Sequence, residues 1–426
     1  MKILIKKALI ICAHSSFNNK TMDILVSDGI IANISENIDS DSETEIWEFN
    51  NSHVSIGWLD FSLHLKDPGT EWLETLDSMQ SAALAGGFTE VVGFPNTHPV
   101  IQTKESMGYF KNFSDRNLLQ IHNFAAITKN CEGNDFTDMM DLHHHGAVGF
   151  SDGNHALQNA DILLKSLQYL HALNTLLVTK PEDKYLSMFG QMHEGLQSTL
   201  LGLKGIPSAS EEIMIMRDLK LLKYANLSSE TPILHFSTIS TAESVELIRK
   251  AKADGLPVSC DISANQLAFL DTDLAGFDTN LKSKPPYRAA SDREALKAGL
   301  ADGTIDTICT DHNPLNEELK NLEFDLADFG AIGLQTAFGA INTHSELGLS
   351  TLIEKLTVSN RKLLRQPLPN IEVGQKANLT VFDPTLNYVF KEKDIVSLSK
   401  NSPFIEKELK GKALGVLNNK QAFKNK

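Results

Sequence analysis

Cysteine is scarce in this chain of 426 residues: there are four, Cys12, Cys131, Cys260 and Cys309, widely spaced and with no Cys-x-x-Cys pair. Their scarcity excludes a disulfide framework and a thiolate zinc site, and it fits a reducing compartment such as the cytoplasm. No apolar run approaches the ~20 residues of a membrane-spanning helix. The segment Met1–Lys7 is basic, but the apolar run after it is short and reaches His14 without a small-residue cleavage site. It therefore reads as an edge strand and not as a signal peptide. Positive charge is also short, with 39 Lys and Arg against 54 Asp and Glu, a net charge of -15. Such a chain is repelled by nucleic acid and by anionic membrane. What is present is a hydrophobic share of 42%. At this length that is enough for a large barrel and a smaller satellite.

Along the chain, the first fifty residues are short apolar runs broken by turns. Asp28-Gly29 marks a hairpin turn, and the polar patch 39–45 marks a loop. From Val54 the texture changes to short apolar strands alternating with amphipathic helices. Strands are expected at 56–59, 91–94, 147–150, 176–178, 233–236, 257–260 and 305–309, and helices at 75–85, 160–173, 210–224 and 242–253. Repeated βα units predict an α/β fold, a (β/α)8 TIM-like barrel. After Pro369 short strands return, at 377–382 and 413–417, with a hairpin turn at Asn418-Asn419. The two ends are expected to pair into one small β domain, residues 1–53 with 368–426, around a barrel of residues 54–367.

Chemistry in such a barrel lies at the C-terminal strand ends. His64, Asp152, His235 and Asp311 each follow a different strand. Any one of them alone is ordinary hydrogen-bonding or turn chemistry. Imidazole and carboxylate converging on one mouth would suit a zinc-like ion. The run His143-His144-His145 precedes a strand, at the opposite end of the barrel, and reads as a solvated loop.

The string Asp60–Gly69 resembles the dihydroorotase signature Asp-x-His-x-His-Leu-Arg-Asp-Pro-Gly. Phe94–Thr97, Phe150–Gly153, Glu182-Asp183, His235–Thr238, Lys284–Arg288, Thr310–His312 and Gly333–Thr336 are similar to further family motifs, in the family's order. The resemblance implies an amidohydrolase-type barrel flanked by a β domain from both termini. It implies zinc, which activates a hydroxide and polarises a ring carbonyl. The implied reaction interconverts carbamoyl aspartate and dihydroorotate in pyrimidine synthesis, with Asp311 shuttling a proton. The implied substrate contacts are Lys66 and Asn96, and the implied metal ligands are His64, Asp152, His235 and Asp311.

The pattern also breaks. Ser62 and Lys180 stand where the family has ligand histidines, Lys66 replaces an arginine clamp, and Leu315 and Asn265-Gln266 replace further histidines. Serine is a poor ligand beside imidazole, and an ammonium group repels a divalent cation. Zinc is therefore expected to be absent or reduced to one ion. Lys180 either supplies the missing positive charge beside Asp152 and Asp311 or, carboxylated, bridges an ion. The losses favour a degenerate homologue with a structural or regulatory role. An active cyclic-amide hydrolase with a reduced site and a non-catalytic binding protein are the alternatives. The resemblance further implies a homodimer and, as a partner, aspartate transcarbamoylase. The charged loop 313–328 is where a substrate lid would lie.

Overall fold

The computed structural model describes residues 1–425. Eight short parallel strands form the barrel wall: Trp58–Leu63, Phe88–Gly93, Gln120–Ala125, Gly149–Phe150, Leu177–Thr179, Leu234–Phe236, Val258–Ser263 and Thr307–Cys309. Each is buried along its length or nearly so, as expected of strands covered by helices on one side and filled by side chains on the other. The wall is closed between its first and eighth strands. Asp60 accepts from the Thr310 amide at 2.8 Å and from its hydroxyl at 2.5 Å, and the His64 amide donates to the His312 carbonyl at 2.9 Å. Burial pushes the Asp60 carboxyl up to about 7, against the pull of the two Thr310 donors.

Helices over Ala160–Ala172, Ala209–Ala225 and Ala242–Ala253 match the expected stretches closely. Local chemistry sets their starts. Asn159 caps the first through its side chain, and Thr241 caps the third by accepting from the Ser244 amide. One barrel strand, Gln120–Ala125, has no counterpart among the expected strands. Its sequence, Gln-Ile-His-Asn-Phe-Ala, mixes polar and apolar residues with no run that stands out.

The second sheet is built from both ends of the chain. Its order runs Gln421–Lys424, Lys407–Asn418, Leu379–Phe390, His53–Ile56, Lys2–Ile10, Thr21–Ser27, Ile30–Ser35. The N-terminal strand is not an edge strand, contrary to the sequence expectation. It pairs with Thr21–Ser27 on one side and with Glu45–Trp47 and His53–Ile56 on the other. No local pattern in these residues encodes the return of the two later strands to their flank. The antiparallel pairing of His53–Ile56 with Leu379–Phe390 joins the two ends of the chain.

The triple histidine is also corrected. His143 and His144 end a short helix, Met139–His144, and His145 is its C-terminal cap. The run is therefore helical where a loop was expected.

Barrel and sheet are welded by aromatic packing and by one buried ion pair. Trp58 lies against Phe88, Phe338 and Phe382, with ring centroids 4.7–6.0 Å apart. Nearby, Arg361 reaches Glu90 at 2.6 Å and the Gly57 carbonyl at 2.8 Å, while Asn378 of the sheet donates to the same Glu90 at 2.7 Å. Burial alone would push the Glu90 carboxyl up. Arg361 and His122 outweigh it and hold the group well below the usual carboxylate range.

Candidate functional site

The strand ends of the barrel open on a pocket of about 290 Å³ lined by His64, Lys66, Lys180, Lys284, Asp311 and Leu315, among others. Four residues singled out from the sequence, His64, Lys66, Lys180 and Asp311, thus share one mouth. His64 Nε2 lies 3.1 Å from Asp311 Oδ1. Its Nδ1 is buried without a hydrogen-bond partner. Burial lowers the His64 pKa, against the pull of Asp311 and in concert with the nearby Lys66 and Lys180 charges. Asp311 is held in the left-handed backbone region, with φ 48°. For a non-glycine residue this is a costly conformation, and such conformations cluster at functional sites.

Lys180 directly follows the fifth barrel strand, and its side chain is 15% exposed. Its Nζ is 3.9 Å from Glu182 Oε2 and 3.5 Å from the Lys284 carbonyl. Lys284 Nζ takes the other oxygen of Glu182 at 2.6 Å. Two ammonium groups therefore flank one carboxylate. Against the upward push of burial they hold Glu182 below the usual range. Burial lowers Lys180, and Glu182 and Asp311 pull the other way. Lys66 is pushed down to about 8 by burial, with Glu74 and Asp328 opposing.

The other two expected ligands do not join this group. His235 is fully buried beneath it. Its Nδ1 faces Ser259 Oγ at 2.8 Å and its Nε2 faces Asp261 Oδ2 at 3.2 Å. Ser237 donates to the same Asp261 oxygen at 2.7 Å, and Ser62 lies 3.5 Å from Ser237. Burial raises the Asp261 carboxyl, with His235 and Ser237 opposing. Asp152 is turned toward the loop after the third strand. It accepts from the Ile127 and Thr128 amides, both at 2.9 Å, and from the Thr128 hydroxyl at 2.5 Å. Burial pushes it up to about 6. The expectation that Lys180 neutralises Asp152 is corrected accordingly: its acidic neighbours are Glu182 and Asp311.

The residues present do not fit the zinc that the motifs imply. Among the described residues no three His, Cys, Asp or Glu side chains come together as a possible ion site. The convergence expected of His64, Asp152, His235 and Asp311 is not found. His235 faces Ser259 and Asp261 through its two ring nitrogens, and Asp152 is saturated by its own loop.

Asp261, Ser259 and Ser237 were not singled out from the sequence. A signal was available, because Ser259, Asp261 and Ser263 alternate along a strand whose apolar positions are Val258, Cys260 and Ile262. Period-two alternation in a fully buried strand puts the polar set on one face.

Asn96 holds the loop at the fourth strand end. It donates to the Asp152 carbonyl at 3.1 Å and accepts from the Asn154 amide at 2.9 Å. Gly153 sits inside this clasp with φ +59°, and a Cβ there would meet Asn96 Oδ1 at 1.8 Å. Gly153→Ala should cost about 1–3 kcal/mol through backbone strain and overpacking. Thermal denaturation of the variant measures it, and an unchanged midpoint would refute the clasp. His312 is also structural, with Nε2 2.6 Å from Glu74 and Nδ1 accepting from the Gly333 amide at 3.1 Å. The expected lid segment 313–328 carries a short helix, Glu317–Lys320. Lys320 ties its end to the carbonyls of Asp328 and Gly330 at 2.9 and 3.1 Å.

Comparison with known proteins decides the family. The family model described as dihydro-orotase-like matches residues 52–244. The dihydroorotase of Pelotomaculum thermopropionicum is 36% identical over 415 residues, covering 96% of each chain. That of Carboxydothermus hydrogenoformans is 38% identical over 416 residues, covering 96% of this chain and 95% of its own. The chain belongs to the dihydroorotase family. Among solved structures, the L-hydantoinase (dihydropyrimidinase) of Arthrobacter aurescens superposes with a TM-score of 0.82 at 24% identity, covering 100% of this chain and 96% of that one. That likeness shows the fold, a (β/α)8 barrel with an added β sheet. Within this dihydroorotase-family chain, Ser62 and Lys180 keep the strand-end places that the motif resemblance assigns to histidines.

Proposed function

We propose that this chain is a dihydroorotase-like protein of pyrimidine biosynthesis that has lost metal-dependent turnover and is retained for a structural or regulatory role. The observation that carries the reading is the hydrogen-bonded His235–Asp261–Ser237 cluster beneath Ser62. It fills the floor of the mouth with hydrogen bonds where the family's reaction needs an ion. Lys180 lies beside Glu182 with Asp311 acting on it as well, and a lysine side chain at that place offers a divalent cation no ligand comparable to imidazole. Of the two residues the motifs assign to substrate contact, Lys66 lines the pocket while Asn96 clasps the loop at Asp152 and Asn154, and the pocket remains large enough for a small cyclic amide or its open-chain acid. The reading places the protein in the cytoplasm. Its partners would be a second copy and, by family precedent, an aspartate transcarbamoylase.

A second reading, an active cyclic-amide hydrolase with a reduced site, draws on one observation. Asp311 and His64 are paired at the pocket, so a group able to move a proton is still in place.

Two measurements on the purified chain separate the readings: zinc content by elemental analysis and turnover of dihydroorotate. The expected result is no stoichiometric zinc, and turnover below that of a metal-bearing relative by about 10³-fold or more. That figure follows because the loss of supporting groups alone costs ~10–100-fold. Stoichiometric zinc, with turnover abolished by Asp311→Asn, would overturn the proposal in favour of the second reading.

A further inference from the structure

The fifth barrel strand, Leu177–Thr179, delivers Lys180 to the mouth. The pocket of about 290 Å³ there is lined by Lys180 together with His64, Lys66, Lys284 and Asp311. A buried ammonium group carries three donors and calls for close acceptors. Among the described residues, Lys180 Nζ has the Lys284 carbonyl at 3.5 Å and, beyond hydrogen-bond reach, Glu182 Oε2 at 3.9 Å. The charge of Glu182 is already engaged. Its other oxygen accepts from Lys284 Nζ at 2.6 Å and from the Ser187 hydroxyl. A second cation therefore stands beside Lys180, on the same carboxylate.

Such a place holds the ammonium form poorly, so its proton leaves readily and exposes the lone pair. Burial pushes the Lys180 pKa down, Glu182 and Asp311 pull it up, and the Lys284 charge adds to the lowering. Desolvation next to a second cation is how a lysine amine becomes a nucleophile. The surrounding groups supply what else such an amine needs. Lys66 lines the same pocket with no carboxylate in ion-pair reach among the described residues, so it can hold the carboxylate of a ligand. Asp311, paired with His64 at 3.1 Å, can move a proton there. A volume of about 290 Å³ stands at the lower limit of the ~300–1,000 Å³ usual for ligand pockets, and it admits only a small molecule.

We propose that Lys180 is a nucleophile that condenses with a small 2-oxo acid in the mouth to form a Schiff base. The Nζ lone pair adds to the keto carbon, forming the C–N bond as the C=O π pair goes to oxygen. Both Nζ protons pass to that oxygen, and the C–O bond breaks with its electron pair. Water leaves, and the Nζ lone pair closes the C=N bond. No oxidant or reductant is consumed. Lys66 holds the carboxylate of the oxo acid, and Asp311 passes protons between Nζ and the departing oxygen. The inference rests on the reading of the mouth as metal-free, since a divalent ion would compete for the same amine and carboxylate.

Pyruvate with sodium cyanoborohydride, which reduces an imine to a stable secondary amine, tests this on the purified full chain at neutral pH. The expected result is a single adduct per chain, mapped to Lys180 by peptide mass spectrometry, because surface lysines stay protonated at that pH. Mapping on the unaltered protein does not depend on the folding of any variant. Lys180→Arg should abolish the adduct. Lys66→Met should raise the pyruvate concentration needed for half-trapping about tenfold or more, the worth of a charge-assisted hydrogen bond. A Lys66→Met protein that traps pyruvate as well as the parent would overturn the assignment of an oxo acid. Zinc content is measured on the same sample. A zinc-free chain with no adduct at Lys180, or with adducts scattered over surface lysines, would overturn the inference and leave the reading of a lost metal site standing. Stoichiometric zinc would overturn that reading, and the inference with it.

Discussion

Replacing His235 with alanine should destabilise the protein by about 3–5 kcal/mol, the typical cost of removing one partner of a buried pair. The histidine and Asp261 are both fully buried, and they meet at 3.2 Å at the centre of the barrel. Without the imidazole, Asp261 keeps only the Ser237 hydroxyl at 2.7 Å, and one of its oxygens already lacks a partner. Ser259 would lose its own partner as well, since its hydroxyl lies 2.8 Å from His235 Nδ1. Asp261→Asn should be milder, below about 1.5 kcal/mol, because the amide removes a buried charge while retaining hydrogen-bonding atoms. Chemical denaturation of both variants, with zinc added and with a chelator, makes the comparison. If His235→Ala cost less than Asp261→Asn, or if its cost appeared only with zinc, His235 would be acting as a ligand and not as the partner of Asp261.

An effect of similar size is expected at the far end of the barrel. Arg361→Met should cost about 3–5 kcal/mol for the same physical reason. Arg361 is 1% exposed and is the strongest positive influence on Glu90. Glu90 also holds His122 at 2.8 Å and Asn378 at 2.7 Å, so one carboxylate links a barrel strand, its neighbour and the terminal sheet. Methionine would replace the volume of the stem but leave Glu90 facing only a histidine and an amide. The denaturation midpoint should fall with little change in the denaturant slope. A loss under 1 kcal/mol would mean that His122 alone compensates the charge.

Both predictions concern buried charge, the part of this protein that its sequence shows least directly. The barrel itself was legible, because short buried strands alternating with amphipathic helices leave a pattern along the chain. Helix Ala242–Ala253 falls where its periodicity places it, and the terminal strands announced a second sheet. The strand Gln120–Ala125 was not legible, because His122 and Asn123 interrupt its apolar run. His122 is there to meet Glu90 on the neighbouring strand, a contact no local pattern encodes. The N-terminal strand looked like an edge because its flanking partners arrive more than thirty residues later in the chain.

The same division holds at the mouth. The sequence by itself determined the family, through motifs in a fixed order, and it determined that Ser62 and Lys180 occupy places where histidines are expected. It also determined that His64, Asp152, His235 and Asp311 stand at or just beyond barrel strands. Only the tertiary structure decided which side chains meet. Strand periodicity states which face a residue takes, but hydrogen-bond partners depend on register between strands distant in sequence. His235 lies opposite Ser259, and this places Asp261 within reach of Nε2. Asp152 sits at the expected strand end, yet two amides and a hydroxyl of the neighbouring loop draw it out of the mouth. A buried carboxylate takes the donors nearest to it, and those donors are set by the packing of neighbouring strands and loops.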